Sequence, residues 1–229
     1  MSELVAYKSN ALIEASYKLT LQEQRVLLMC IGKLNPQDEK PENTFQLTAK
    51  EFCLAFPDMG KENAERRLQE AIERLWDRTI SITKKDEKRE IRWIQEKAKY
   101  FSGEGKSEIV FSDSIMPYLT QLQGQFTKIA IKNVSALKRT YSIRIYELLQ
   151  QFKQTGDRII SLEDFRSMLG IDDKYKTFKS LNQLLLVPAL KELNEKSDLV
   201  ISVDTVKKGR TVVALHFQFK EDKQIKMAI

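Results

Sequence analysis

One pattern occurs twice in this 229-residue chain. The segment LTAKEFCLAF, residues 47–56, parallels ISLEDFRSML, residues 160–169. In each copy a hydroxyl residue stands three positions before an acidic residue, which is a signal for the capped start of a helix. A phenylalanine follows the acidic residue in both copies. The repetition predicts two domains of one type, although many helical proteins carry capped helices at such spacing.

The parallel continues downstream of the capped helices. The later positions that correspond, first half before second, are Ala71 with Ala189, Leu75 with Leu193, and ISI at 80–82 with ISV at 201–203. Both halves therefore follow the order strand, capped helix, turn, long helix, hairpin. We predict an α+β fold of two winged-helix domains in tandem, at residues 1–132 and 133–229, related by an internal repeat.

Local signals place the elements of the first half. Thr20 and Glu23 form a capping box that predicts the start of a long amphipathic helix. A second strong helix is expected at 62–78, a strand at 79–84, and its hairpin partner at 89–102.

Residues 174–220 predict a basic helix followed by a hairpin. From Phe178 onward apolar residues recur mostly three or four apart, so one side of the helix is expected to pack inward. That side comprises Phe178, Leu181, Leu184, Leu185, Leu186, Ala189, Leu190 and Leu193. Pro188 predicts a kink. The polar side begins with donors suited to phosphates and base edges: Lys174, Lys176, Thr177, Lys179, Ser180, Asn182 and Gln183. An ordinary solvent-exposed helix can have the same composition.

The hairpin is predicted from two segments rich in β-branched and aromatic residues, 199–205 and 211–219. Alternation places Val213, Leu215, Phe217 and Phe219 on one face. Gly209 supplies the turn. Three basic residues lie at the expected tip, where an apolar core has no use for them: Lys207, Lys208 and Arg210. A helix followed by a basic hairpin is typical of a winged helix that binds DNA.

The charge distribution points to the same part of the chain. The net charge is +6. Residues 1–134 hold 21 Lys and Arg against 20 Asp and Glu, whereas residues 135–229 hold 17 against 12. A basic excess concentrated around the predicted helix and wing is expected of a nucleic-acid-binding protein, and would also suit an acidic partner.

Composition argues against several other classes of protein. We find neither a segment of about 20 apolar residues nor the apolar core of a signal peptide, so we expect no membrane association and a cytoplasmic location. Cys30 and Cys53 lie in helix-like apolar patterns, which favours small core residues over a disulfide.

Catalytic and cofactor motifs are also missing from the sequence. His216 is the single histidine, and a nicking nuclease usually needs paired histidine ligands beside a tyrosine nucleophile. Alternation places His216 opposite Leu215 and Phe217, as a surface strand residue. There is no GxxxxGK[ST] motif for a nucleotide phosphate, and two cysteines are too few for a zinc finger. We expect no enzyme activity, no cofactor and no metal.

Three segments resemble the plasmid replication initiators that bind iterons, the Rep_3 family. They are SNALIEASYKLTLQEQRVLLMCI near the start, YSIRIYELLQQFK in the middle, and FKSLNQLLLVPALKELNEKSDLVISV near the end. The resemblance runs from about Lys8 to Phe219, and its most specific parts are RIYELL, residues 144–149, and PALKELN, residues 188–194.

The resemblance implies a function. The C-terminal domain of such a protein binds direct repeats at a replication origin, through a recognition helix in the major groove. The N-terminal domain contacts the DNA backbone and carries a dimer interface. Monomers bind the origin and help to open it, dimers often repress the initiator's own promoter, and host partners include the replicative helicase and the host initiator.

The resemblance also assigns roles to candidate residues. Base reading is expected of Lys179, Asn182 and Gln183, and contacts to phosphate or sugar are expected of Lys174, Lys176, Thr177 and Ser180. The wing residues Lys207, Lys208 and Arg210 are expected to contact the neighbouring backbone. Weaker candidates in the first domain are Lys61, Arg66 and Arg67 on its equivalent helix, and Lys84 and Lys85 at its wing. Ion pairs on the helix surface explain Arg66 and Arg67 nearly as well.

Two other functions stay open at the level of sequence. One is a winged-helix transcriptional repressor without an origin function. The other, disfavoured by the single histidine, is a DNA-nicking replication nuclease.

Overall fold

The computed structural model describes residues 4–35, 38, 41–84, 86–99, 105–120 and 125–222. The chain forms two compact units that divide between Ala136 and Leu137. The sequence placed this boundary after Lys132. The first unit extends further because its last strand runs directly into a short helix, Ile131–Val134, whose Ile131 and Val134 side chains are buried.

The first unit combines helices with short antiparallel strands. Its helices are α1 (Asn10–Glu14), α2 (Leu21–Lys33), α3 (Ala49–Ala55), α4 (Lys61–Leu75) and α5 (Ile131–Val134), with 3-10 turns at Pro57–Met59 and Met116–Tyr118. Its strands are β1 (Val5–Ser9), β2 (Thr44–Thr48), β3 (Thr79–Lys84), β4 (Glu87–Arg92), β5 (Ile94–Lys99), β6 (Lys106–Phe111) and β7 (Phe126–Ala130).

The strand pairing of the first unit corrects one sequence-based correspondence. The predicted partner of β3, residues 89–102, divides at Trp93 into two strands: β4 pairs with β3, and β5 pairs with β6. The three-stranded sheet has the order β2-β6-β5. The sequence repeat matches ISI of β3, residues 80–82, to ISV of the first wing strand in the second half, residues 201–203. Sheet position instead matches that wing strand to β5, since pairing depends on contacts distant in sequence.

The second unit is smaller and has one sheet. Its helices are α6 (Thr140–Gln150), α7 (Leu162–Met168), α8 (Phe178–Leu181) and α9 (Val187–Lys196), and its strands are β8 (Asp157–Ser161), β9 (Leu199–Lys208) and β10 (Thr211–Glu221). The sheet order is β8-β10-β9. This arrangement parallels β2-β6-β5, and β2 and β8 have the same alternation of exposed and buried residues.

A β-bulge in β10 corrects the predicted face of Val213. The register with β9 shifts between Val212 and Ala214, so alternation on one side of the bulge is out of phase with alternation on the other. Leu215, Phe217 and Phe219 are buried as predicted, whereas Val213 is 39% exposed.

The capped helix starts are confirmed. Thr20 with Glu23, and Thr48 with Glu51, form reciprocal capping boxes at α2 and α3. The Ser161 hydroxyl accepts a hydrogen bond from the Asp164 N–H at 3.0 Å and caps α7. Each cap stabilises its helix by satisfying an N–H group that the helix leaves unpaired, typically by about 1 kcal/mol.

Each unit also contains a buried arginine in the fifth position of its first long helix, α2 or α6. Arg25 Nη2 lies 3.0 Å from Asp58 Oδ1, in the turn after α3. Arg144 Nη2 donates to the carbonyl of Met168, the last residue of α7, at 3.0 Å. Both arginines therefore tie the long helix to the C-terminal end of the capped helix. This shared contact supports the internal repeat independently of strand pairing.

Cys30 is fully buried, which raises the pKa of its thiol, and Cys53 is partly exposed; both are free. Among the described residues, no helix is long and apolar enough to cross a membrane.

Candidate nucleic-acid interface

The predicted recognition helix begins at Phe178, slightly later than the sequence indicated. Thr177 is its N-cap, and the Thr177 hydroxyl accepts a hydrogen bond from the Ser180 N–H at 3.1 Å. The Ser180 hydroxyl in turn donates to the Thr177 carbonyl at 2.9 Å. Lys174 and Lys176 precede the helix, in the loop after α7, with both side chains exposed. The lysines thus lie beside the N-terminal end of the helix, where its dipole also favours an anion.

Arg166 fixes the shape of this loop, a role that the sequence analysis missed. Its guanidinium donates to the carbonyls of Lys174 at 2.8 Å and Tyr175 at 2.5 Å. Tyr175 has φ 49°, a left-handed conformation that is uncommon outside glycine. Its ring packs edge-on against Tyr141, and burial raises the pKa of the Tyr141 hydroxyl. The loop that carries Lys174 and Lys176 is therefore held in a defined conformation.

Pro188 changes the helix in a way that periodicity did not predict. Instead of the expected kink, a π turn over Asn182–Leu186 joins α8 to α9. Val187 N–H donates to the carbonyl of Asn182, five residues back. Proline has no N–H for the carbonyl four residues back, and its ring crowds that carbonyl in a regular helix. A wider turn just before Pro188 accommodates the proline.

The π turn rotates Leu184 out of the predicted buried side. One turn contains an extra residue, so each residue advances by less than the roughly 100° of an α-helix. Leu184 is 64% exposed as a result, whereas Leu185 and Leu186 are buried. The available signal was the run LLLV at 184–187, because four consecutive apolar residues are too many for one side of an α-helix.

The exposed side of this helix is basic and polar. Lys179 and Gln183 are exposed, and Asn182 is partly buried. Within the described ranges, the ammonium groups of Lys174, Lys176 and Lys179 form no ion pair or hydrogen bond. Their charges are therefore not neutralised by the rest of the described protein.

The residues that carry the family resemblance hold this helix in place. The Glu192 carboxylate accepts hydrogen bonds from the N–H groups of Lys138 and Arg139, at 2.9 and 3.1 Å, just before α6. The Asn194 side chain donates to the carbonyl of Ile201 and accepts from its N–H, at 3.0 and 2.7 Å. The predicted recognition helix is thus held by hydrogen bonds to the start of α6 and to β9.

A buried ion pair and a hydrogen bond complete this support. Arg144 Nη1 lies 2.5 Å from Glu147 Oε2, and both side chains are 2% exposed. The Tyr146 hydroxyl donates to Asp198 Oδ1 at 2.8 Å, immediately before β9. Burial raises the pKa of Asp198. The motif RIYELL therefore has an internal, structural role in this chain.

The wing is a hairpin in which a two-residue loop joins β9 to β10. Lys208 pairs with Thr211, and Gly209 has φ 62°, which a residue with a side chain rarely adopts. Lys207, Lys208 and Arg210 are all exposed there, and their charged groups have no ion-pair partner in the described chain. Three positive charges are thus concentrated at one end of the hairpin, two on the end of β9 and one in the loop.

The first-unit candidates differ from this pattern. Arg66 lies 2.7 Å from Glu70 and also donates to Asn63 at 3.3 Å, so the ion-pair explanation holds for Arg66. Arg67 is partly exposed on the same helix. Lys61 is the first residue of α4. Lys84 is the last residue of β3, and because β5 rather than β3 corresponds to the wing strand β9, its predicted place at the wing is wrong. Lys85 lies outside the described residues.

His216 lies on the sheet face opposite Leu215 and Phe217, as predicted. Its Nε2 is 2.6 Å from Asp157 Oδ2 on β8, so it forms a cross-strand contact. In the described part of the chain, no three or more His, Cys, Asp and Glu side chains group closely enough to hold a metal ion.

The fold and this surface define a tandem winged-helix protein with a basic helix and wing in its second domain. Residues 5–150 match the family described as "Initiator Replication protein, WH1", and residues 161–219 match "Initiator Rep protein, WH2". The chain belongs to this family of replication initiators.

Individual relatives agree with this assignment. A "Replication initiation protein" of Escherichia coli is 38% identical over 234 residues, which cover 98% of this chain and 72% of the relative. The "PI protein" of Escherichia coli is 24% identical, covering 93% of this chain and 81% of that protein. The crystal structure of Pi initiator protein in complex with iteron DNA has a TM-score of 0.83 at 21% identity, covering 98% of this chain and all of that one.

Proposed function

We propose that this protein initiates replication of a plasmid or small circular replicon by binding direct repeats at the origin. The α8–α9 helix, including its π turn, enters the major groove and reads base edges with Lys179, Asn182 and Gln183. The wing follows the neighbouring backbone through Lys207, Lys208 and Arg210. Lys174, Lys176, Thr177 and Ser180 contact phosphate or sugar beside the start of the helix.

The observation that carries this proposal is the set of unneutralised charges on one helix and one wing of the same unit. Residues 174–187 contain three lysines and no acidic residue, and the ammonium groups of these lysines form no ion pair in the described chain. Cations without a protein partner gain most from displacing the counterions of DNA, which is the main source of backbone affinity. The Pi initiator, which shares this fold, was crystallised with iteron DNA, and this supports DNA as the ligand here.

The first unit contributes differently in this proposal. We assign it dimerisation and accessory backbone contacts, with Lys61, Arg66, Arg67, Lys84 and Lys85 as weaker candidates than the residues of the second unit. The protein acts in the cytoplasm, as a monomer on the repeats and as a dimer on its own promoter. It recruits the host replicative helicase and the host initiator, and opens the origin by binding rather than by cleaving DNA.

A binding measurement tests the central claim. The purified chain is titrated against its replicon's direct repeats and against scrambled duplexes over a range of salt concentrations, with the mass of each complex recorded. We expect selective binding with one chain per repeat. Equal, weak and strongly salt-dependent binding to both DNAs would mean that the basic surface is a non-specific electrostatic patch.

A replication assay separates an initiator from a repressor. A small plasmid that carries the repeats but lacks this gene should replicate only when the protein is supplied. Replication without the protein would favour the repressor. Incubation of supercoiled origin DNA with Mg²⁺ or Mn²⁺ should give no nicked product, and nicking would restore the nuclease hypothesis.

A further inference from the structure

Two exposed apolar side chains lie within the basic surface of the second unit. Leu184 is 64% exposed and Val187 is 53% exposed. They are three positions apart, at the π turn and the start of α9. Lys179 precedes them on the helix and Lys191 follows them, both exposed. Leaving this much apolar side-chain area in water gains nothing for folding, so the pair is a candidate contact for a ligand.

The charge around this pair indicates which ligand covers it. Lys179 and the three basic residues at the wing tip, which have no ion-pair partner in the described chain, favour a polyanion over an apolar protein surface. The other flanking lysine, Lys191, lies 3.9 Å from Glu195. Among the base edges of the major groove, the C5-methyl group of thymine is the apolar feature, and side chains recognise it by apolar contact. Gln183, directly before Leu184, has the amide that suits the N6 and N7 edge of adenine. Neighbouring residues thus suit the two bases of an A·T pair.

We infer that Leu184, supported by Val187, determines specificity by contacting thymine methyl groups in the major groove. This inference rests on the proposed function. It depends on the π turn, because a regular α-helix through these residues would direct Leu184 toward the buried side. Lys179 and Gln183 supply the polar part of the same reading surface.

The test removes single methyl groups from the DNA. A duplex is first selected by the full chain from a randomised library, and each thymine is then replaced singly by deoxyuridine, which lacks only the C5-methyl group. The wild-type protein should lose about fourfold in affinity at one or two positions, as expected for one buried carbon. Leu184→Ala should weaken binding to the unmodified duplex and become insensitive to deoxyuridine at those positions.

Leu54→Ala is the matched control. Leu54 is 60% exposed on α3 of the first unit, so its truncation makes a similar change in surface outside the proposed reading helix, beside an exposed lysine, Lys50, as Leu184 lies near Lys179. Leu54→Ala should keep the wild-type response to every deoxyuridine. Circular dichroism of both variants should match that of the wild type, because neither side chain fills the core.

The outcomes distinguish this inference from the proposed function. If the protein binds DNA selectively but Leu184→Ala responds to every deoxyuridine as the wild type does, the inference is overturned. The proposed initiator function would still stand. Unchanged DNA affinity with altered self-association in Leu184→Ala would also overturn it, by assigning the pair to a second copy of the chain. If the library yields no preferred duplex, sequence-specific binding itself fails, and the thymine contact fails with it.

Discussion

Helix α4 of the first unit and the α8–α9 helix of the second each follow a capped helix, but they differ in surface charge. Residues 61–75 of α4 contain four basic and four acidic residues, whereas the loop and N-terminal part of the second helix, residues 174–187, contain three lysines and no acidic residue. Further along that helix, Lys191 lies 3.9 Å from Glu195. On α4, Arg66 pairs with Glu70. The two helices therefore share a position in the winged helix but differ in the number of cationic groups that the protein leaves unpaired. In the proposed function this difference makes the second helix the one that binds DNA.

The interior of the two units is more alike than their surfaces. Arg25 and Arg144 occupy corresponding positions and make corresponding contacts. Their acidic partners differ, because Asp58 is 21% exposed whereas Glu147 is 2% exposed. The two arginines thus lie beside carboxylates in two different dielectric environments.

Replacing Arg144, which breaks its buried ion pair with Glu147, should have the largest energetic effect. Arg144→Leu leaves Glu147 buried without its cation, so we expect a loss of about 3–5 kcal/mol in the free energy of unfolding of the second unit. Amide hydrogen exchange, resolved by peptide, measures this unit. Tryptophan fluorescence measures the other, since Trp76 and Trp93 both lie in the first unit.

Two further variants sharpen this first prediction. Arg144→Leu combined with Glu147→Leu should recover much of the lost stability, because no buried charge remains. Arg25→Leu should cost less than Arg144→Leu, because water reaches Asp58. An equal loss in the free energy of unfolding for the two single variants would show that burial of the partner carboxylate does not determine that loss.

The next largest effect concerns base reading. Gln183→Ala should cost about 1–3 kcal/mol on the selected duplex and almost nothing on scrambled DNA. Asn182→Ala should cost less, since Asn182 is partly buried. The control is Gln69→Ala on α4, which should leave selectivity unchanged. Competition binding measures both DNAs in one titration, and equal losses on them for Gln183→Ala would remove that residue from the reading surface.

Wing charge should act uniformly on all sequences. Lys207→Ala should lower affinity for selected and scrambled duplexes alike, and reduce the steepness of log K against log salt by about 1. Arg66→Ala should leave the salt dependence close to that of the wild type, because Glu70 already neutralises Arg66. A decrease of about 1 for Arg66→Ala would show that α4 contacts phosphate despite its ion pair.

The smallest expected effect tests whether α4 can gain a DNA contact. Glu70→Gln releases Arg66 from its ion pair at a stability cost of only about 0.2–0.5 kcal/mol. We expect slightly stronger binding to scrambled DNA. The slope of log K against log salt should become steeper by less than one unit. No change in salt titrations would place Arg66 away from the DNA altogether.

Local signals in the sequence predicted the parts of the fold that local chemistry determines. The caps at Thr20, Thr48 and Ser161 depend on residues three apart, and all three are confirmed. The turn at Gly209 likewise depends on one backbone conformation. The family resemblance then identified both domains as winged helices.

The errors arose where a pattern had to stay regular over many residues. Leu184 was assigned to the buried side because the periodicity assumed a uniform α-helix, and Val213 was misplaced because a bulge changes the phase of β10. The match of β3 to β9 failed because strand pairing joins residues far apart in sequence. The roles of individual residues on DNA are still predictions, since charge and exposure do not identify the base that each one contacts.

The π turn has a consequence for how such a protein can change over evolution. A π turn is equivalent to one residue inserted into an α-helix, so a single deletion between residues 182 and 186, combined with replacement of Pro188, would return the segment to regular geometry. The buried leucines on either side, Leu181 and Leu190, could keep their places while the set of exposed residues changed. Under the proposed function, such a change would alter the DNA sequence recognised without a new core, and related replicons could diverge in their repeats by this route.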